Sequence, residues 1–295
     1  MFPHSRINHV HWFHLTLLAG LPVWWWVAIH FALAPTITLF AWLVFNVLML
    51  ATAERFFPYR IEWHPSRKHL KRDGIVWSLN MATDSAATAL LTVAAIAWFP
   101  GHSDWPIVLQ IMTGVLVSEL GSYWIHRLSH QEGWLWRVHL LHHRPDRLNV
   151  ANALTAHPIN ALYDKLVRVF PLILLGLNAE AMLAIALFTL TQSLVTHANV
   201  AGRIGILNYL IGSAELHRLH HSTVEHEAGN FGTAVPLWDQ VFGTYKRGEA
   251  PVKVGVFDPK QYPGDLQLSA LLTWPVPTPM FRWFQRSFRC CAASA

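Results

Sequence analysis

Apolar residues run along this chain in long blocks, not in the one-faced or alternating patterns of elements that sit on a soluble core. Residues 15–34 form the first block, with Pro22 and the triplet Trp24-Trp25-Trp26 inside it. Pro35 interrupts, and residues 36–53 form the second, so close behind that only a tight hairpin joins them. A helix needs roughly 20 apolar residues, within a range of about 17–25, to cross the hydrocarbon layer, and both blocks qualify. No A-x-A-like cleavage site follows the first block, which is longer than a signal-peptide core, so it is read as retained. Residues 54–80 are polar and basic, with Arg55, Arg60, Arg67, Lys68, Lys71 and Arg72. Residues 86–99 are apolar again, Gly101-His102-Ser103-Asp104 makes a turn, and residues 105–125 form the fourth candidate helix. A further apolar pair, 170–176 and 181–195, is short in each arm and predicts a shallow hairpin that enters and returns on one side. The chain is then mostly polar until 268–284, a proline-broken aromatic stretch expected at the membrane interface. With no internal repeat, low-complexity tract or linker, residues 1–295 read as a single domain. The predicted architecture is all-α and polytopic: about four transmembrane helices plus a short apolar hairpin.

Composition agrees. Only 13% of the residues are charged and 53% are hydrophobic, against about 25% charged in soluble domains, and mean hydropathy is +0.29. Fifteen tryptophans fit a bilayer, because indole favours the headgroup zone. The net charge of +5 lies in short clusters between apolar blocks, not in a stripe suited to nucleic acid. The two cysteines, Cys290 and Cys291, are adjacent and form no disulfide framework, as expected of a cytosolic tail; acylation is the alternative. Lys and Arg concentrate after the second, the fourth and the last apolar blocks, which puts those segments in the cytoplasm under the positive-inside rule. Both hairpins then return to that side, so both termini and every clustered histidine are expected there.

Those histidines carry the chemistry. The stretch HRLSHQEGWLWRVHLLHH begins where the fourth block ends. His126 and His130 are four apart, so on a helix their rings share a face. His139, His142 and His143 stand at i, i+3 and i+4, and His217, His220 and His221 in HRLHH repeat that spacing. His197 lies in THAN at the end of the last apolar run. Imidazole is the commonest metal ligand among side chains; nine of them imply two metals, and nitrogen-only shells suit iron, zinc, copper or nickel. The alternatives are interfacial histidines, a pH-sensing cluster, a metal transporter or metal-sensing membrane protein, or a zinc hydrolase. Ligands at helix ends, away from the midplane, speak against transport, and nine ligands leave little room for a hydrolytic water.

The set HRLSH, HLLHH, THAN and HRLHH, followed by AGNFG and WDQVFGT, resembles the membrane-bound fatty acid hydroxylase / sterol desaturase superfamily over about residues 117–244. The resemblance implies a non-haem di-iron centre in a cytosolic histidine-rich helical cap above a membrane bundle. Two Fe ions, replaced by Zn on overexpression, and O2 as co-substrate would hydroxylate or desaturate a C–H bond of a membrane lipid, and one branch cleaves ether lipids. The implied metal ligands are His126, His130, His139, His142, His143, His197, His217, His220 and His221. Some members carry a tenth histidine where this chain has Ser193. Glu119, seven residues before His126, is expected to meet a ligand ring or a substrate hydroxyl; Asn199 and Asp239 are the other candidate catalytic or supporting residues, and Asn230 and Asp84 are weighed beside turn or capping roles. His157 is expected in a supporting role, Trp134 and Trp136 as interface anchors, and His4, His9, His11 and His14 as interfacial. No dinucleotide-binding glycine motif, iron–sulfur cysteine set or haem domain is recognisable, so a separate electron donor of ferredoxin or cytochrome type is expected to dock on the cytosolic face, drawn by Arg127, Arg137, Arg144, Arg147, Lys165 and Arg168.

Overall fold

A computed structural model describes residues 11–276 except 100, 102, 225–226, 249–250 and 252; His4, His9, Cys290, Cys291 and most of the 268–284 stretch therefore lie outside the described residues. Among the described residues there are ten α-helices and two isolated β-bridges. Two apolar helices, α1 (Trp12–His30) and α2 (Pro35–Phe56), form the first hairpin, with Pro35 at the start of α2, where its missing N–H costs nothing. Helix α3 (Arg67–Trp98) is far longer than the apolar run 86–99 that announces it. Its polar first half is helical because Ser66 and His69 form a reciprocal cap. It is held because the buried Arg72 side chain pairs with Asp73 and Asp265. Asn80 bonds the carbonyls of Leu154 and Ala156. The turns before Asn80 therefore extend beyond the bundle, and those after it line the bundle.

Helix α4 (Ile107–Ser129) crosses the bundle and α5 (Trp134–His143) lies across its end. Where a shallow hairpin was expected stand a 17-residue helix, α6 (Pro158–Leu174), and a 19-residue helix, α7 (Ala179–His197), of which α7 is long and apolar enough to cross a membrane. Helix α6 extends well before the apolar run 170–176 because its polar residues Asn160, Asp164 and Arg168 recur every four positions and are satisfied there, Asp164 and Arg168 by Ser122 and Glu119 of α4 and Asn160 by His139 of α5. Three short helices complete the cap: α8 (Ala214–His220), α9 (Leu237–Val241) and α10 (Leu268–Thr273). Helices α1, α2, α3, α4 and α7 are long and apolar enough to cross a membrane, and the chain is an integral membrane protein. The main core, with Leu17, Leu50, Leu187 and Leu194 fully buried, lies between α1, α2 and α7.

Candidate metal centre

Nine histidines from four segments meet at one end of the bundle. His126 lies in the last turn of α4 and His130 caps it; His139, His142 and His143 come from α5; His197 ends α7; His217 and His220 lie on α8, with His221 as its cap. Ser213 Oγ accepts the Leu216 amide and starts α8. The rings separate into two groups, His126, His130, His139, His143 and His220, and His142, His197, His217 and His221, with the ligand atoms of each group within 4.8 Å of one another. Adjacent His142 and His143 thus serve different groups. The His143 and His221 rings stack with centroids 4.1 Å apart, so the two groups share a wall.

Backbone carbonyls fix several tautomers. His126 Nδ1 lies 2.7 Å from the carbonyl of Phe231, His142 Nδ1 3.1 Å from that of Thr155, His197 Nδ1 3.0 Å from that of Ser193, and His220 Nδ1 2.8 Å from that of Gly229. A carbonyl only accepts, so each Nδ1 carries the proton and each Nε2 is left as a lone pair. His139 Nδ1 donates to Asn160 Oδ1 at 2.7 Å. His197 Nε2 lies 3.3 Å from His142 Nε2, and neither carries a proton, so this contact is not a hydrogen bond. His220 Nε2 and His143 Nε2 are 3.1 Å apart, and the Nε2 atoms of His126, His130 and His139 are buried without partners. Metal–imidazole bonds of about 2.0–2.1 Å separate neighbouring ligands by about 3.0 Å in an octahedron and about 3.4 Å in a tetrahedron, which brackets the spacings here. The donor set fits a metal. Burial lowers the pKa of His142 to about 4 and of His220 to about 3. Burial first, with neighbouring imidazoles adding, holds His130, His143, His217 and His221 well below their ordinary value. Neutral rings at physiological pH are what ligation requires.

The AGNFG segment explains how two carbonyls reach two rings. Asn230 sits in the left-handed region at φ 54°. That bend aims the carbonyl of Gly229 at His220 and that of Phe231 at His126. Asn230 keeps the bend by donating to the carbonyls of Leu216 and Lys246 and accepting the Lys246 amide. A side chain at Gly229 or Gly232 would strike the Thr244 carbonyl at 2.4 Å or the Val235 carbonyl at 2.7 Å. Asp239 accepts the amides of Phe231 and Gly232, both at 2.8 Å. Glu119, fully buried, accepts those of Thr233 at 2.6 Å and Ala234 at 2.8 Å, and its second oxygen accepts from Arg168 at 3.0 Å. Arg168 also bonds Asp164 and Ser122.

Glu119 was expected to meet a ligand ring or the substrate, and Asp239 and Asn199 to be catalytic or supporting residues. None of the three hydrogen-bonds a histidine ring; Asp239 and Glu119 hold the backbone of 231–234, whose Phe231 carbonyl meets His126, and Asn199 holds the backbone of Arg60. Asn199 exchanges two bonds with the backbone of Arg60, and its amide donates to Glu54, which also takes the Val150 amide. Arg218, buried on α8, bonds the carbonyls of Ala198 and Val200 and so ties the THAN turn to the HRLHH helix. His157 has both nitrogens engaged, by the Leu272 carbonyl and the Ile159 amide, and caps α6. Ser193 Oγ bonds Thr189, while its carbonyl anchors His197. Asp84 pairs with Lys165 at 2.8 Å. Trp134 is exposed, but Trp136 packs against His130 and His143 instead of anchoring at the interface. His11 and His14 are buried, with His14 bonded to Gln192. Arg137, Arg144 and Arg147 are engaged by Trp274, Pro263 and Asp265 of the C-terminal segment, and Arg127 by Tyr123 one turn back on α4. Asn160, Arg218 and Phe231 were not anticipated, and Arg168 was expected only in a docking cluster; the four-residue recurrence of Asn160, Asp164 and Arg168 was the available signal.

The fatty acid hydroxylase family model matches residues 111–244, which contain all nine histidines. An ornithine lipid hydroxylase from Rhizobium tropici is 33% identical over 235 residues, covering 70% of this chain and 68% of that protein. The chain belongs to the fatty acid hydroxylase family. Human alkylglycerol monooxygenase is 27% identical over 162 residues, 54% of this chain and 35% of that protein. A Delta(7)-sterol 5(6)-desaturase of Aspergillus fumigatus is 26% identical over 152 residues, 50% of this chain and 43% of that protein. No solved structure matches the chain. Membership makes this fatty acid hydroxylase homologue an oxidoreductase acting on lipids, in line with the expected superfamily.

Proposed function

We propose that the protein is an O2-dependent di-iron monooxygenase that hydroxylates a C–H bond of a polar membrane lipid, with its metal site and both termini in the cytoplasm. The observation that carries the reading is the pair of unprotonated Nε2 atoms of His142 and His197 at 3.3 Å, two lone pairs that need a cation between them. His126, His130, His139, His143 and His220 would hold one ion, and His142, His197, His217 and His221 the other. When bound, two irons supply the redox equivalents that cleave the O–O bond; zinc, which imidazole shells accept as readily, does not. The chain keeps the rings neutral, oriented and shielded from water, with Phe231 packed on His126, His130 and His220. Hydroxylation is favoured over desaturation or ether cleavage by the relative named for ornithine lipid hydroxylation, which shares the greater part of both chains. The cytoplasmic placement is supported by segments 31–34, 103–106 and 175–178 at the remote end, which hold no Lys or Arg. A separate carrier of ferredoxin or cytochrome type delivers the electrons.

The test is mass spectrometry of lipids from cells with and without the gene, and with His142→Ala. A lipid gaining one oxygen only with the intact protein is expected. No changed lipid from iron-loaded protein with O2 and a reductant overturns the reading; a lipid lacking two hydrogens, or a cleaved ether, reassigns the reaction.

A further inference from the structure

Two ties draw part of the cap down into the depth of the bundle. Trp238 on α9 donates its indole N–H to the Leu116 carbonyl, nine residues into α4 from its remote end at Ile107, about 14 Å along the axis at roughly 1.5 Å per residue. Gln192 on α7 donates to the carbonyls of Gly212 and Ala234. It lies twelve residues, about 18 Å, from Glu180, whose carbonyl takes the Trp25 indole N–H at the remote end. A hydrocarbon layer of about 30 Å that starts at this tryptophan level reaches past both ties. Residues 204–212 and 232–242 then stand beside its inner half, not above it.

The surface of this part of the cap suits that depth. Ile206, Leu210 and Val241 are 79%, 68% and 58% exposed, and Tyr209, Leu237 and Phe242 join them. Gln240 bonds the Tyr209 carbonyl at 2.8 Å and makes one face of the two segments. That face continues into the exposed side of α4, where Trp124 and Phe242 have ring centroids 4.9 Å apart. Exposed Arg203, Lys246 and Arg247 flank it, the arrangement of an element that rests apolar side chains in acyl chains and cations among headgroups.

We propose that residues 204–210 and 237–242 form a lip inserted among the acyl chains of the leaflet on the metal side. The lip places lipid beside an aromatic series from Phe242 to Tyr123 at 5.3 Å, Tyr123 to Phe231 at 6.2 Å and Phe231 to His130 at 5.3 Å. On the oxygenase reading above, the substrate reaches the first histidine group sideways from that leaflet; the insertion itself does not depend on that reading.

Single cysteines at Ile206, Leu210 or Val241, and at the exposed Asp146 as control, in a Cys290→Ser, Cys291→Ser background, test it in phosphatidylcholine–phosphatidylglycerol liposomes. With a bimane label, quenching by acyl-chain doxyl phosphatidylcholine is expected to be several-fold stronger at the three lip positions than at Asp146, and a water-soluble maleimide to label them several-fold more slowly. Lip positions that quench and label like Asp146 overturn the proposal. So does cross-linking of 206 to 241 between two chains without doxyl quenching, which makes the face a contact between copies. Three independent positions, each checked for an unchanged elution volume, guard against one that misfolds. Neither readout uses turnover, so loss of the oxygenase reading would leave the result standing.

Discussion

Glu119→Gln separates a residue that positions a ligand from one that merely fills space. The substitution keeps shape and leaves one oxygen able to accept the Thr233 and Ala234 amides, but as neutral hydrogen bonds. Charge-assisted bonds contribute about 1.5–3 kcal/mol each against about 0.5–1.5 for neutral ones, so the two amide contacts lose about 2–3 kcal/mol together. The Gln amide also faces Arg168 where a carboxylate oxygen stood at 3.0 Å. Breaking a buried ion pair from one side costs about 3–5 kcal/mol, moderated here because Asp164 still holds Arg168 at 2.8 Å. We expect a loss of about 3–5 kcal/mol in unfolding free energy and a shifted 231–234 segment. The shift takes away the Phe231 carbonyl that orients His126, and outer partners of this kind change metal affinity by about 10–100-fold. Chelator competition followed by metal release, with thermal unfolding in detergent, reads both quantities. Affinity should fall for one ion and hold for the other, since His142, His197, His217 and His221 share no hydrogen bond with this segment. Arg168→Gln should behave alike, and the double variant should lose less than the sum. Wild-type affinity and melting in Glu119→Gln would refute the reasoning.

Four further outcomes follow from the same geometry. Purified protein should hold about two metal ions per chain by elemental analysis, and His142→Ala and His220→Ala should each lower this sharply; a content near zero, unchanged in both, contradicts the site. Asn230→Ala, which forces an ordinary side chain into a bend costing about 1–2 kcal/mol and removes three bonds, should weaken metal binding more than Asn230→Gly, which restores the bend alone; equal effects would mean the bonds dominate. Metal-free protein should lose melting temperature as pH falls from about 6.5 towards 4, because the unfolded chain protonates His142 and His220 near 6.5 while the folded one resists to about 4 and about 3; a flat profile contradicts this. Single cysteines at Lys68 and Arg144, in the cysteine-free background, should resist an impermeant thiol reagent applied outside cells, and strong labelling at Arg144 refutes the cytoplasmic placement.

The parts of this site that were legible in the sequence are those whose physics is local. Imidazoles at i, i+3 and i+4 must share a helix face, so HLLHH and HRLHH declared themselves, and unbroken apolar blocks declared most of the spanning helices. What stayed hidden depends on partners distant in sequence. The polar start of α3 looked like a loop because its helicity rests on the Ser66–His69 cap and on Arg72 meeting Asp265. Arg168 of α6 was read as part of a docking surface, whereas Glu119 and Ser122 of α4 answer Arg168 and Asp164. The division of the histidines was unreadable too: periodicity puts His142 and His143 side by side, and only the arrival of His197 and His220 assigns them to different groups. The strongest constraint on the rings, a carbonyl at Nδ1, belongs to the backbone and has no letter of its own. It leaves a trace only where the backbone must take an unusual path, and here the trace is the run Gly229, Asn230, Phe231, Gly232. Two glycines are required by close carbonyls, and one asparagine tolerates a left-handed bend. A motif of that kind marks where the backbone itself positions a ligand, and Asp239, which accepts two amides of the same run, belongs to that device.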